Sequence, residues 1–208
     1  MTDLYHEGQR DLQDRFDTRR LADRLAGVAG DVFHEPFVRF VESRDMFFIA
    51  TTDGEGAPDC SYKGGDPGFV RVVDEHTLAF PSYDGNGMFR TLGNIGVNPN
   101  VGLLFLDFEK GTRLRVNGEA TVELDGPLVE SFPGAQCAVL VRARAIFPNC
   151  GRYLHDYRKV EPSPFVPRDE EETPVPDWKL DPWFDGTLAE GDPALDPDRP
   201  SAPSIPQF

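Results

Sequence analysis

A lysine followed by a run of glycines is suited to holding an anion, because glycine lets the backbone approach closely and the ammonium supplies the countercharge. That combination occurs in Cys60-Ser61-Tyr62-Lys63-Gly64-Gly65-Asp66-Pro67-Gly68; the alternative is a wide turn carrying a solvated Lys63. A second place is Pro81-Ser82-Tyr83-Asp84-Gly85-Asn86-Gly87-Met88-Phe89-Arg90-Thr91. There a strand pattern gives way to a helix pattern. Free amides at a helix start, with the Ser82 hydroxyl and the Asn86 side chain, favour negative charge. Arg90 and Lys63 are then able to share a phosphate. Asn94, one helical turn past Arg90, faces the same side, with a surface amide as the alternative. In Thr112-Arg113-Leu114-Arg115, the two-residue period of a strand puts both guanidinium groups on one face. Either an anion sits between them, or carboxylates such as Glu119, Glu123 or the acidic C-terminal stretch do. The glycines match neither a dinucleotide fingerprint nor a phosphate loop, and no side chain stands out as a general acid or base.

These residues need elements to position them. Met46 to Thr52 reads as a strand ending at the turn Asp53-Gly54-Glu55-Gly56, with a return strand over Asp59 to Lys63. Val70 to Val73 and Thr77 to Phe80 pair across Asp74-Glu75-His76. Val101 to Leu106, Thr112 to Val122 and Gln136 to Phe147 complete the strands, and one helix, Gly87 to Val97, is stopped by Asn98-Pro99. The pattern is that of a small, closed or partly closed antiparallel barrel. Ahead of it, Leu12, Phe16, Leu21, Leu25, Val28 and Val32 predict one helix between Asp11 and Asp31. A second helix starts at Pro36 and buries Phe37, Phe40 and Val41.

The chain has 208 residues and a formal charge of −15, enough length for one domain with arms. The acidic balance argues against nucleic acid and against anionic membrane surfaces. The three cysteines form no CxxC pair, and Cys150 beside Arg152 is either a reactive thiol or a buried inert one. The four histidines have no metal-ligand spacing, so no metal is expected. The opening Met1-Thr-Asp-Leu-Tyr-His-Glu lacks the order of a signal peptide, and the expected location is the cytoplasm. The segment Glu161–Phe208 holds 11 of the 19 prolines, with 12 acidic against 3 basic residues. Such a stretch forms neither helix nor central strand. Phe165, Val166, Trp178, Leu180, Trp183 and Phe184 are its anchors, and the expectation is an arm packed at least to about Phe184 with a looser end. The expected division is 1–45 helical arm, 46–157 barrel and 158–208 extension.

The stretch Phe47 to Thr121 resembles the FMN-binding split-barrel proteins related to pyridoxamine 5′-phosphate oxidase. The resemblance lies in four pieces in order: Cys60 to Val70, Gly85-Asn86 opening a helix, Asn94-Ile95 through Asn98-Pro99 to Phe105, and Thr112 to Gly118. It extends weakly into Phe147 to His155. It implies a mainly β fold with flanking helices, a split β-barrel of antiparallel Greek-key type, in a homodimer with FMN in clefts between subunits. By resemblance, Ser61, Tyr62, Lys63 and Gly64 line the flavin. Ser82, Asn86, Gly87, Met88 and Arg90 close around its ribityl and phosphate groups, with Asn94 nearby, and Arg113 and Arg115 build the site across the dimer interface. The implied function is an FMN-dependent oxidoreductase acting on a small molecule. The alternatives are a non-catalytic flavin carrier or sensor, or a barrel holding deazaflavin or haem, with His155 as the candidate axial ligand. Genuine pyridoxamine phosphate oxidases end in an Arg-Leu-Ala-Pro segment that completes their substrate site. This chain ends in Asp198-Arg-Pro-Ser-Ala-Pro-Ser-Ile-Pro-Gln-Phe instead, so vitamin B6 oxidation is not implied. Trp178 and Trp183 either anchor the arm or wall a different substrate pocket.

Overall fold

The computed structural model describes residues 4–169 and 171–203. Seven strands form one antiparallel sheet: β1 (Met46–Thr52), β2 (Pro58–Gly64), β3 (Arg71–Asp74), β4 (Thr77–Tyr83), β5 (Asn100–Asp107), β6 (Thr112–Glu123) and β7 (Ala135–Asn149). Their order is β2-β1-β5-β6-β7-β4-β3. β5, β6 and β7 are successive neighbours and β4 returns beside β7, which is the Greek-key arrangement. The edge strands β2 and β3 do not pair with each other, so the barrel is split. Its core is made by alternate residues, led by Phe47, Ile49, Phe80, Leu103, Phe105 and Val116. In the pairing of β1 with β2, Phe47 lies opposite Lys63 and Ile49 opposite Ser61. Ser61 and Lys63 therefore continue the inner face at an open edge.

The helix α4 (Arg90–Val97) connects β4 to β5 and is fastened to β1 by Asn94 and Asn98, whose side-chain amides donate to Thr51 Oγ1 (3.0 Å) and Thr52 Oγ1 (2.7 Å). A short helix α5 (Pro127–Glu130), not foreseen from the sequence, caps the other face of β4 with Val129 and Phe132.

The N-terminal helix of the sequence reading forms as two. α1 (Glu7–Arg15) and α2 (Arg19–Ala26) are separated at Asp17, whose φ of 51° takes the chain out of the helix. The two are clasped by Arg10–Asp23 (2.6 Å), and Leu12, Phe16, Leu21, Leu25 and Val28 are exposed rather than packed. α3 (Glu35–Glu42) begins beside Pro36 and packs Phe37, Phe40 and Val41 against the barrel.

The C-terminal arm is packed well beyond Phe184. Among the arm's described residues, Val175 and Lys179 are the buried ones, at 4% and 5% exposure. Strand β8 (Val175–Pro176) pairs with β9 (Ser201–Ala202) in parallel. Trp183 and Leu180 are not anchors, being 80% and 51% exposed. The arm's extreme end, expected to be loose, and the first three residues lie outside the described residues.

The glycine run after Lys63 has a packing role. A Cβ on Gly64 would stand 2.8 Å from the Tyr62 ring, and one on Gly65 would overlap the ring of Phe69, which itself stacks on Phe47 at 5.8 Å. Arg168 of the arm closes the loop by gripping Asp66 with two bonds, at 2.6 and 3.0 Å. Gly64 does not line the cleft to which Lys63 contributes. Gly65→Ala is expected to cost about 1–3 kcal/mol, as overpacking of a filled core does, measurable by chemical denaturation.

Candidate functional site

Where the inner face of β2 meets the end of β4, the barrel opens into a cleft of about 740 Å³. Asp59, Ser61 and Lys63 come from β2, Ser82 from β4, and Asn86, Gly87 and Met88 from the following loop; Arg90 opens α4. The loop turns sharply because Gly87 (φ 72°) and Phe89 (φ 48°) both adopt left-handed backbone, which glycine accepts freely. The Asn86 carboxamide oxygen accepts the Met88 amide at 3.1 Å, leaving its NH₂ to donate into the cleft.

The charges are unevenly paired. Arg90 Nε lies 3.1 Å from Asp59. Lys179 reaches in from the arm to Asp84 (2.6 Å) and Asp192 (2.7 Å). Lys63 is half-buried and has no ion-pair partner among the described residues. Burial pushes its pKa down, while the more distant Asp59 carboxylate and Cys137 pull it up. The cleft therefore has a positive end at Lys63 and Arg90, and a triad of net charge −1 where Lys179 joins two carboxylates. Tyr83 and Cys137 are both pushed up by burial, so each remains protonated and neutral. Cys137, opposite Ser82 in the sheet, is the buried thiol; Cys60 and Cys150 are exposed, which removes the buried reading of Cys150.

Seven of the residues singled out from sequence come together here: Ser61, Lys63, Ser82, Asn86, Gly87, Met88 and Arg90. Five do not. Gly64 packs under Tyr62, and Asn94 is committed to Thr51. Tyr62, being out of phase with Ser61 and Lys63, points to the outer face and meets Phe48 at 5.9 Å. Arg113 and Arg115 are also outward. Register aligns Tyr62, Phe48, Leu104, Arg115 and Phe147 in one transverse row. Neither Glu119, which pairs with Arg144, nor Glu123 bridges the two arginines. The Nε of Arg113 is buried without a hydrogen-bond partner. His155 does not line this cleft.

Sequence reasoning missed Asp59, Lys179 and Asp192; Trp178, offered as an arm anchor or a pocket wall, lines the cleft, as does the anchor Phe184. Asp59 was findable, since it shares the two-residue period of Ser61 and Lys63. Nothing local marked Lys179 as the partner of Asp84, 95 positions away.

A sequence profile of the pyridoxamine 5′-phosphate oxidase family matches residues 33–153, which spans α3, the whole sheet and α4. The chain belongs to this family. The family match includes every residue of the cleft contributed by the barrel and excludes the arm that covers it. No curated protein matches the chain by sequence. Solved structures of similar shape include Group A Streptococcus HupZ (17% identity, covering 60% of this chain and 98% of that one, TM-score 0.47). HutZ, the heme storage protein from Vibrio cholerae, shows 19% identity, with 57% and 96% covered and a TM-score of 0.42. An FMN-binding protein from Syntrophomonas wolfei shows 12% identity, with 68% and 95% covered and a TM-score of 0.40. Among the described residues, no helix of this oxidase-family chain is long and apolar enough to cross a membrane.

Proposed function

We propose that the chain is an FMN-dependent oxidoreductase acting on a small molecule, working as a cytoplasmic homodimer. The observation that carries the reading is Lys63: a half-buried ammonium with no ion-pair partner among the described residues, lining a cleft that the family profile spans. A buried cation is stabilised by an anionic ligand far more than an exposed one. The residues present fit FMN. Lys63 and Arg90 supply the charges for its phosphate, with Asp59 yielding part of its hold on Arg90. Ser61, Ser82 and the Asn86 amide offer hydrogen bonds to ribityl hydroxyls. The volume lies within the range of ordinary ligand sites, about 300–1,000 Å³. When bound, the flavin ring supplies hydride transfer. The protein's part is to orient it, hold its phosphate and exclude water beneath the arm. The outward row of Tyr62, Arg115 and Phe147, with Arg113 beside it, is the face we assign to the partner subunit's cleft.

The test is to add excess FMN to the purified protein, desalt it, and record absorption, mass and stoichiometry. The expected result is retained flavin at one per chain and two per particle, reducible by a nicotinamide donor under anaerobic conditions. Retained flavin that no donor reduces would convert the reading to storage or sensing. A protein that retains no FMN sinks it; retention of deazaflavin or haem instead would identify the replacement.

A further inference from the structure

The C-terminal arm, which the family profile does not reach, builds a second cavity of about 1170 Å³ against the Tyr83–Met88 loop. It shares that loop, Trp178, Lys179, Phe184 and Asp192 with the cleft, so the two spaces are neighbours. Its other walls are Phe165, Pro167, Pro174, Pro176 and Trp183. Three properties define what it can hold.

First, its charges are already used. Lys179 is engaged by Asp84 and Asp192, and Arg199 by Glu172 (3.2 Å) and by the Thr173 carbonyl (3.1 Å). The triad keeps one net negative charge, which disfavours an anionic ligand. Second, polar side chains of the lining are tied down within the wall: the Asn86 carboxamide oxygen accepts the Met88 amide at 3.1 Å, and the Asp192 carboxylate accepts the Ala194 amide at 2.9 Å. Third, the lining is aromatic. The Phe184 ring meets Trp178 at 5.1 Å and Trp183 at 4.7 Å, both edge to face. Trp183 stands 80% exposed at the rim, a large indole left in water that a flat ligand would cover.

We propose that this cavity is the substrate chamber beside the cleft and takes a neutral, planar aromatic molecule held by stacking rather than by charge. Its role as a substrate chamber rests on the flavin reading; its ligand class does not.

The chain has only two tryptophans, Trp178 and Trp183, and both line the cavity, so tryptophan emission reports directly on it. The probes are 2-naphthamide, neutral, and 2-naphthoate, its anionic counterpart, presented to the full-length protein without flavin in equilibrium dialysis. Naphthamide is expected to bind at least about tenfold more tightly than naphthoate and to quench the tryptophan emission. Trp183→Ala, at an exposed position that tolerates change, and Phe165→Ala are each expected to weaken naphthamide about tenfold. Equal or tighter binding of naphthoate, no retention of naphthamide, or unchanged affinity in both variants would overturn the proposal. FMN retention is measured separately on the same protein. Naphthamide selectivity without flavin retention would keep the ligand class and remove the substrate role. Flavin retention without naphthamide selectivity would remove this proposal and leave the flavin reading standing.

Discussion

Phe47→Ala is expected to lower the stability of the protein by about 3–5 kcal/mol, the cost of emptying a fully buried aromatic site. Phe47 has no exposed surface. Its ring touches Phe80 edge-on at 4.9 Å, Phe105 at 5.0 Å and Phe69 at 5.8 Å. It is the residue through which β1, β4, β5 and the loop before β3 share one core, so neighbouring elements cannot collapse into the void independently. For a domain of this size the loss corresponds to a drop in melting temperature of roughly 6–20 °C. It is a large part of a typical net stability of about 5–15 kcal/mol. Differential scanning calorimetry of Phe47→Ala beside Trp183→Ala makes the comparison: the latter removes an equally bulky ring from an exposed position and is expected to stay within about 0.5 kcal/mol of the parent. Equal effects of the two would show that the core is not organised around Phe47.

Lys63→Met is expected to weaken FMN by about 10–100-fold, since a hydrogen bond to a charged group contributes about 1.5–3 kcal/mol. The same substitution is expected to raise the melting temperature of the flavin-free protein. Burial lowers the pKa of Lys63 in the folded chain, so folding disfavours its charged form. A group shifted in this direction adds stability above its ordinary pKa, and that contribution is lost as pH falls through the lowered folded value. At neutral pH the lysine is therefore charged at a cost to the ligand-free protein, and methionine removes that cost. For binding the dependence runs the other way. As pH rises through the lowered pKa the ammonium loses its proton, and the ratio of parent to Lys63→Met affinity for FMN declines towards one. Fluorescence titrations from neutral pH to the ordinary lysine range, together with melting curves of both proteins without flavin, check each half. A Lys63→Met protein that binds FMN as tightly as the parent would exclude Lys63 from the phosphate site.

The strands were legible because a half-buried strand imposes a two-residue alternation on its own sequence, independent of what it packs against. That alternation located β1, β2, β5, β6 and β7. It also put Ser61 and Lys63 on the face that the register with Ile49 and Phe47 makes the inner one. The turn residues Gly85 to Gly87 likewise announced the junction that brings Ser82 and Arg90 into the same cleft. The helical period was a poorer guide at Asp11 to Asp31. Apolar spacing continues there past Asp17, and the positive φ that breaks the helix has no periodic signature.

Pairing across long separations was not legible. Glycines at 64 and 65 look the same whether an anion or an aromatic ring lies over them; here it is Tyr62 and Phe69. Asn94 has the spacing of a cleft residue, yet Thr51 takes its amide. Alternation fixes that Arg113 and Arg115 share a face but not which face, since that depends on how β5 and β7 pack beside β6. The proline-rich arm carries no period at all, and two distant contacts fix its place on the barrel: Arg168 with Asp66 and Lys179 with Asp84. Local backbone geometry writes itself into neighbouring residues, whereas the choice of a partner 95 positions away depends on the folded chain bringing the two together.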